Sequence, residues 1–383
     1  MQETRKCLKV YAGSEAFAHI QQHGLQASDI SMLLGASSGP KWLVLHGIDQ
    51  WLMRSFFKTR DKPLHLLGTS AGAWRMAAYA QQDNLAAHKR LTEAYIEQCY
   101  SENPAAEEVL ATCRGIIRDL LGEQGAHEIL QNPYVKLNLI TTQCHGLTAA
   151  NLKLLKTIGF GAAALMNKVS RKTLGKQFTR VVMHHPDEHF PSGKLDDLPT
   201  RYAPFSEACM EDAILSTGSI PLIIEGVRDV AGEGLYQDGG ITDYAFDLPL
   251  LLKEELKEEL KEELKEELKD ELTELDKGSE GFVLFPHFAK FPAPGWFDKS
   301  WLRKNHVSRK PSHENYARTI MLVPSDYFVA SLPYGKIPDR HDFLKLSDQE
   351  RIAYWRKAIA LTQALADDLD TIDWQARVEP LPW

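Results

Sequence analysis

The chain has 383 residues, 44% hydrophobic and 25% charged, a usage that excludes collagen-like, mucin-like and wholly disordered proteins and allows a sizeable core. Its net charge of -8 is local: residues 251–280 carry 6 lysines against 13 acids, so the remainder lacks the basic excess of a general nucleic-acid binder. No apolar run reaches the roughly 18 residues that cross a bilayer, no secretory h-region is visible, and Cys7, Cys99, Cys113, Cys144 and Cys209 never fall in C-x-x-C spacing, which predicts a cytoplasmic protein with no disulfide framework or zinc site.

Strand and helix signals alternate along the chain. Residues 30–34 are a short apolar run ending in a turn from Gly35 to Gly39. Pro40, suited to a first helical position, then opens a helix with Trp42, Leu43, Leu45, Ile48, Trp51 and Leu52 on its apolar side. The unit repeats as a strand over 64–67, a turn at Gly68 to Ser70 and an alanine-rich helix over 71–80. Two successive strand-turn-helix units imply parallel strands joined by right-handed crossovers. Residues 85–130 and 150–177 read as mostly helical, 134–142 and 180–183 as strands, and 227–237 as a hairpin turning at Gly232 to Gly234.

An L-K-E-E repeat runs from Leu252 to Leu272. Its residues favour helix, but a four-residue period advances about 400° around the axis. The leucine stripe therefore drifts and makes no heptad seam, which predicts a solvated helical insertion. The next segment holds seven aromatics between Phe282 and Trp301, with a net +5 over 281–310. Such a segment either completes the core or meets lipid headgroups. Residues 347–372 read as one amphipathic helix carrying Ile352, Trp355, Ile359, Leu361 and Leu365.

Three turns could do chemistry. G-T-S-A-G at Gly68 to Gly72 sits between strand and helix as a nucleophile elbow requires, with Ser70 at its apex. The glycines let backbone pass closely, and the helix N-terminus sets its positive dipole end under the hydroxyl. A serine needs a partner to take its proton, and Asp238 in Y-Q-D-G-G-I-T-D is placed to approach through Gly239 and Gly240. G-A-S-S-G-P-K at Gly35 to Lys41 could aim unpaired N-H groups at an oxyanion. It lacks the spacing and the hydroxyl residue of a phosphate-binding P-loop. His184, His185 and His189 cluster, but Pro186 breaks the helix that an i,i+4 metal pair would need.

In this order the three turns resemble the patatin-like phospholipase family, with its glycine-rich oxyanion turn and basic residue, then G-x-S-x-G, then D-G-G or D-G-A. A fourth stretch, A-I-L-S-T-G-S-I-P-L from Ala213 to Leu222, is similar to the family's small-residue segment upstream of its aspartate. The chain departs from the family at Ser37, Ser38 and Trp42, and at Asp243-Tyr244 where an asparagine-proline pair is usual.

The resemblance implies a three-layer α/β/α sandwich with a mainly parallel central sheet. It also implies a Ser70–Asp238 dyad with no histidine, an oxyanion hole at Ser38, Gly39, Lys41 and Ala71, and hydrolysis of acyl-ester lipids with no cofactor. For Asp238 to act as base, partial desolvation should raise its pKa. The matching domain organisation is an N-terminal extension (1–27), a catalytic domain (28–250), the charged insertion (251–280) and a C-terminal part packed on the domain (281–383), with transient membrane contact through 282–304. Two alternatives stay open: an α/β-hydrolase triad completed by His287, His306 or His313, and a silent scaffold binding lipid or a protein partner.

Overall fold

The apolar runs at residues 30–34 and 64–67 become adjacent parallel strands deep in a mixed, mainly parallel sheet of eleven strands. The computed structural model describes residues 6–187, 190–251, 281–299 and 309–383. The L-K-E-E repeat, His189, Trp301 and His306 lie outside them. The chain enters at β1 (Leu8–Ala12), followed by α1 (Ser14–His23), β2 (Ile30–Gly35), α2 (His46–Trp51), β3 (Leu64–Gly68) and α3 (Ala71–Tyr79). Helices α4 (Asn84–Glu97), α5 (Ala106–Leu121) and α6 (Gly125–Gln131) lead to β4 (Val135–Cys144), and α7 (Lys153–Val169) leads to β5 (Phe178–His184) and β6 (Thr200–Pro204). Then come α8 (Glu207–Thr217), β7 (Val227–Arg228), β8 (Leu235–Gln237), β9 (Phe282–Pro286), β10 (Thr319–Pro324), α9 (Asp348–Leu361), α10 (Gln363–Asp370) and β11 (Val378–Pro380).

The strands lie in the order β11-β1-β10-β9-β2-β3-β4-β5-β6, with the β7–β8 hairpin attached through β8 to β4. Strands β2 and β3 are almost uniformly buried, as parallel strands covered on both faces must be. All nine residues of α3 are buried where it packs on β2, β3 and β4. Its run of alanines is the reason a helix can lie so close to the strand ends.

Two expectations need correction. The first is the separation of 1–27 and 281–383 from the central domain. Strands β1, β9, β10 and β11 belong to the same sheet, and β9 pairs directly with β2; without β9, the edge of β2 would carry unpaired backbone groups. Of 282–304, the segment expected to touch lipid, residues 300–304 lie outside the described ones. Within the described part, Val283 to Pro286 are buried in β9, Phe285 is fully enclosed, and Trp296 and Phe297 pack on Phe160. These rings complete the core.

The second correction concerns two helices. Residues 347–372 split into α9 and α10 at Thr362, where a Cβ on Gly47 would lie 2.0 Å from the Thr362 carbonyl oxygen. The break falls where the chain crosses α2 at backbone distance. The helix expected after Pro40 begins as a 3-10 turn, Gly39–Leu45, before α2. Among the described residues, no helix is long and apolar enough to cross a membrane.

Candidate active site

The sheet itself explains how residues 168 positions apart meet. Strand β4 is ten residues long, and β3 pairs with its first half, Val135 to Leu139. Strand β8 pairs along the same edge farther on, from Thr142 to Cys144, running antiparallel. The two strands therefore point toward each other and stop short, leaving a gap opposite Ile140 and Thr141. Ser70 emerges from one side of the gap and Asp238 from the other. Ser70 Oγ donates to Asp238 Oδ2 at 2.8 Å.

Close backbone passage makes the meeting possible. A Cβ on Gly239 would sit 1.9 Å from the Ile140 carbonyl oxygen, and one on Gly72 would sit 2.0 Å from the Gly35 carbonyl oxygen. Only glycine fits at either place, so the D-G-G turn lies on β4 and the 35–41 turn lies on the first turn of α3. The Thr69 N-H donates to the Gly35 carbonyl at 3.0 Å, locking the two turns together.

Ser70 has φ 53° and ψ -136°, a left-handed conformation that costs a non-glycine residue about 1–3 kcal/mol. The sharp turn at the N-terminus of α3 holds it there. Its N-H donates to Thr217 Oγ1 at 2.9 Å, and Thr217 Oγ1 donates to the Ile140 carbonyl at 2.6 Å. Thr217 thus bridges the backbone groups that the gap leaves over. It belongs to the small-residue stretch 213–222, whose Ser219 carbonyl accepts the Asp238 N-H at 3.0 Å.

Both carboxylate oxygens of Asp238 are occupied: Oδ2 by Ser70 and Oδ1 by the Gly240 N-H at 2.7 Å. Burial pushes its pKa up. The bonds from Ser70 and Gly240 and the positive charge of Lys299 pull it part of the way back, leaving it at about 6 rather than 3.8. Such a carboxylate is ionised at neutral pH and far more basic than an exposed aspartate.

The 35–41 turn supplies donors. Ser37 N-H is spent on the Tyr244 carbonyl at 3.0 Å. The N-H groups of Ser38, Gly39 and Ala71 stand at the starts of the 3-10 turn and of α3, where the first helical N-H groups have no intrahelical acceptor. Gly39 has φ +52°, and a Cβ there would meet nothing within 4 Å. The turn borders open space, and its backbone angle alone calls for glycine. The Lys41 ammonium lies 5.1 Å from the centre of the Phe288 ring.

Several supporting residues carry no local sequence signal. Asp243 is fully buried and clamped by Arg180 through Nε at 2.7 Å and Nη2 at 2.8 Å, while Arg171 holds the Thr242 carbonyl at 2.6 Å. The Tyr244 N-H donates to the Pro294 carbonyl at 2.7 Å, and Lys299 Nζ, whose pKa burial holds well below the usual lysine value, sits 2.9 Å from the centre of the Tyr244 ring. This departure from the asparagine-proline pair is therefore a strap from Asp238 to the buried arginines. Trp42, the other departure, is fully buried edge-on to Tyr95. Beneath α3, Arg75 pairs with the buried Asp49 at 2.9 and 2.5 Å, and His88 Nε2 lies 3.3 Å from the same carboxylate.

A histidine relay would have to stand between serine and aspartate, yet these two touch directly. His287 turns Nδ1 to the Ala289 carbonyl at 2.6 Å, and burial lowers its pKa to about 3. His313 packs near Trp383. His185 Nε2 is 2.9 Å from the Leu130 carbonyl, and among the described residues no group of three His, Cys, Asp or Glu side chains could hold a metal ion.

Compared with known proteins, the chain matches no family model, no curated protein and no solved structure.

Proposed function

We propose that this protein is a carboxylic ester hydrolase of patatin-like type. It would cleave acyl-ester lipids of the phospholipid or lysophospholipid class through a Ser70–Asp238 dyad on a three-layer α/β/α sandwich. The observation that carries the reading is the direct 2.8 Å hydrogen bond from a left-handed serine at a strand-helix elbow to a buried carboxylate. Burial holds that carboxylate's pKa near 6. The five cysteines are all unpaired, which fits a reducing cytoplasm.

The chemistry follows from the geometry. Ser70 Oγ attacks the ester carbonyl as its proton passes to Asp238 Oδ2, and the carbonyl π pair moves onto oxygen. The N-H groups of Ser38, Gly39 and Ala71 are the donors available to that oxyanion, with Lys41 positioning the turn. Collapse of the tetrahedral intermediate expels the alkoxide, which takes the proton from Asp238 and leaves an acyl group on Ser70. Asp238 then removes a proton from water, the hydroxide attacks the acyl-enzyme, and Ser70 leaves with the proton returned.

Paired variants test this. Ser70→Ala and Asp238→Asn should each lower kcat on a chromogenic acyl ester by at least about a thousandfold while leaving the protein folded. Normal turnover by either variant removes that residue from the mechanism. A panel of phospholipids, lysophospholipids and neutral esters then fixes the substrate.

A further inference from the structure

Helix α7 turns Phe160, Ala163 and Asn167 inward. Its opposite face, which on an ordinary surface helix is polar, is apolar: Leu154, Ile158, Leu165 and Val169 are 72%, 50%, 66% and 86% exposed. The spacing i, i+4, i+11, i+15 puts them in one stripe along about 22 Å of helix at 1.5 Å per residue.

Charge supplies a second, independent observation. From Glu128 to Asp187 the chain has no acidic residue between these two, but eight lysines and arginines. Arg171 and Arg180 are paired inside with Asp197 and Asp243. Lys153, Lys168, Lys172 and Lys176 are exposed on α7 and on the turn that follows it.

An apolar stripe flanked by exposed lysines suits the boundary between acyl chains and anionic headgroups. A symmetric pairing of two copies through this face would set the same lysines against each other. The helix also stands close to the site, because Phe160 packs on Trp296 and Phe297, and the adjoining Pro294 holds the strap at Tyr244.

We propose that the outward face of α7 docks this protein on an anionic lipid surface, with the leucine and isoleucine stripe among the acyl chains and the lysines at the phosphates. The inference extends the ester-hydrolase reading by naming the surface on which its substrate is met. It is tested by binding without turnover, so either can fail alone.

The full chain is sedimented with phosphatidylcholine vesicles and with vesicles that also contain phosphatidylglycerol. It should bind the anionic vesicles, and added salt should weaken the binding. Ile158→Ser combined with Leu165→Ser should bind about tenfold or more weakly, with the melting temperature unchanged and hydrolysis of a water-soluble ester retained. Replacing Lys168, Lys172 and Lys176 by Gln should cost about fivefold per charge on anionic vesicles only. Equal binding by the wild type and the double serine variant overturns the proposal. So does a wild-type dimer that the serine substitutions dissolve in sedimentation velocity, since that result assigns the face to a second copy.

Discussion

Helix α3 touches two buried carboxylates that have opposite fates. At its start, Ser70 meets Asp238, whose partners are a hydroxyl and one N-H, and burial leaves its pKa at about 6. One turn later, Arg75 meets Asp49. Burial pushes that carboxyl up as well, but the adjacent guanidinium and the His88 hydrogen bond bring it down to about 2. Both side chains are removed from water, so burial does not separate them. The partner does: a neutral donor leaves a base, and a guanidinium makes a structural ion pair.

The same chemical change should therefore act in opposite directions at the two positions. Asp49→Asn leaves the Arg75 charge buried without its counterion and should destabilise the protein by about 3–5 kcal/mol in urea unfolding at pH 7. The Asp49 contribution is complete above the unfolded value of 3.8 and is lost as pH falls through about 2.

Asp238→Asn should stabilise. Holding an ionised carboxylate whose pKa has risen from 3.8 to about 6 costs about 3 kcal/mol at neutral pH, and the asparagine can still accept from Gly240 and donate to Ser70. That advantage should be full above pH 6 and vanish as pH falls through 3.8. Equal and same-signed effects at the two sites would erase the distinction. At the small end, Gly39→Ala introduces no clash. It must hold φ near +52°, so it should lose about 1 kcal/mol of stability and lower kcat more than it raises KM.

What the sequence made legible was local chemistry. Ser70, Asp238 and the 35–41 turn lie in glycine-marked turns whose backbone requirements are written in adjacent residues, and the strands at 30–34 and 64–67 are short, uniformly apolar and bounded by glycine. Contacts between distant positions left no such mark. Arg75 and Asp49 are separated by 26 residues, Arg180 and Asp243 by 63, and neither pair has a periodic signal. Strand β9 was hidden by its aromatics, which suit a lipid interface and a sheet core equally well until β2 is seen to need a neighbour. The exposed stripe of α7 was hidden in a different way: the residue types mark a helix but not which of its faces the fold leaves uncovered.

The central claim is that Asp238 activates Ser70, and covalent labelling with a fluorophosphonate reads it without knowledge of the natural ester. Mass spectrometry should locate the label on Ser70, with a labelling rate that rises through a midpoint near pH 6 as Asp238 ionises and that collapses in Asp238→Asn. Label on another serine, or a Ser70 rate that Asp238→Asn leaves untouched, would contradict the account.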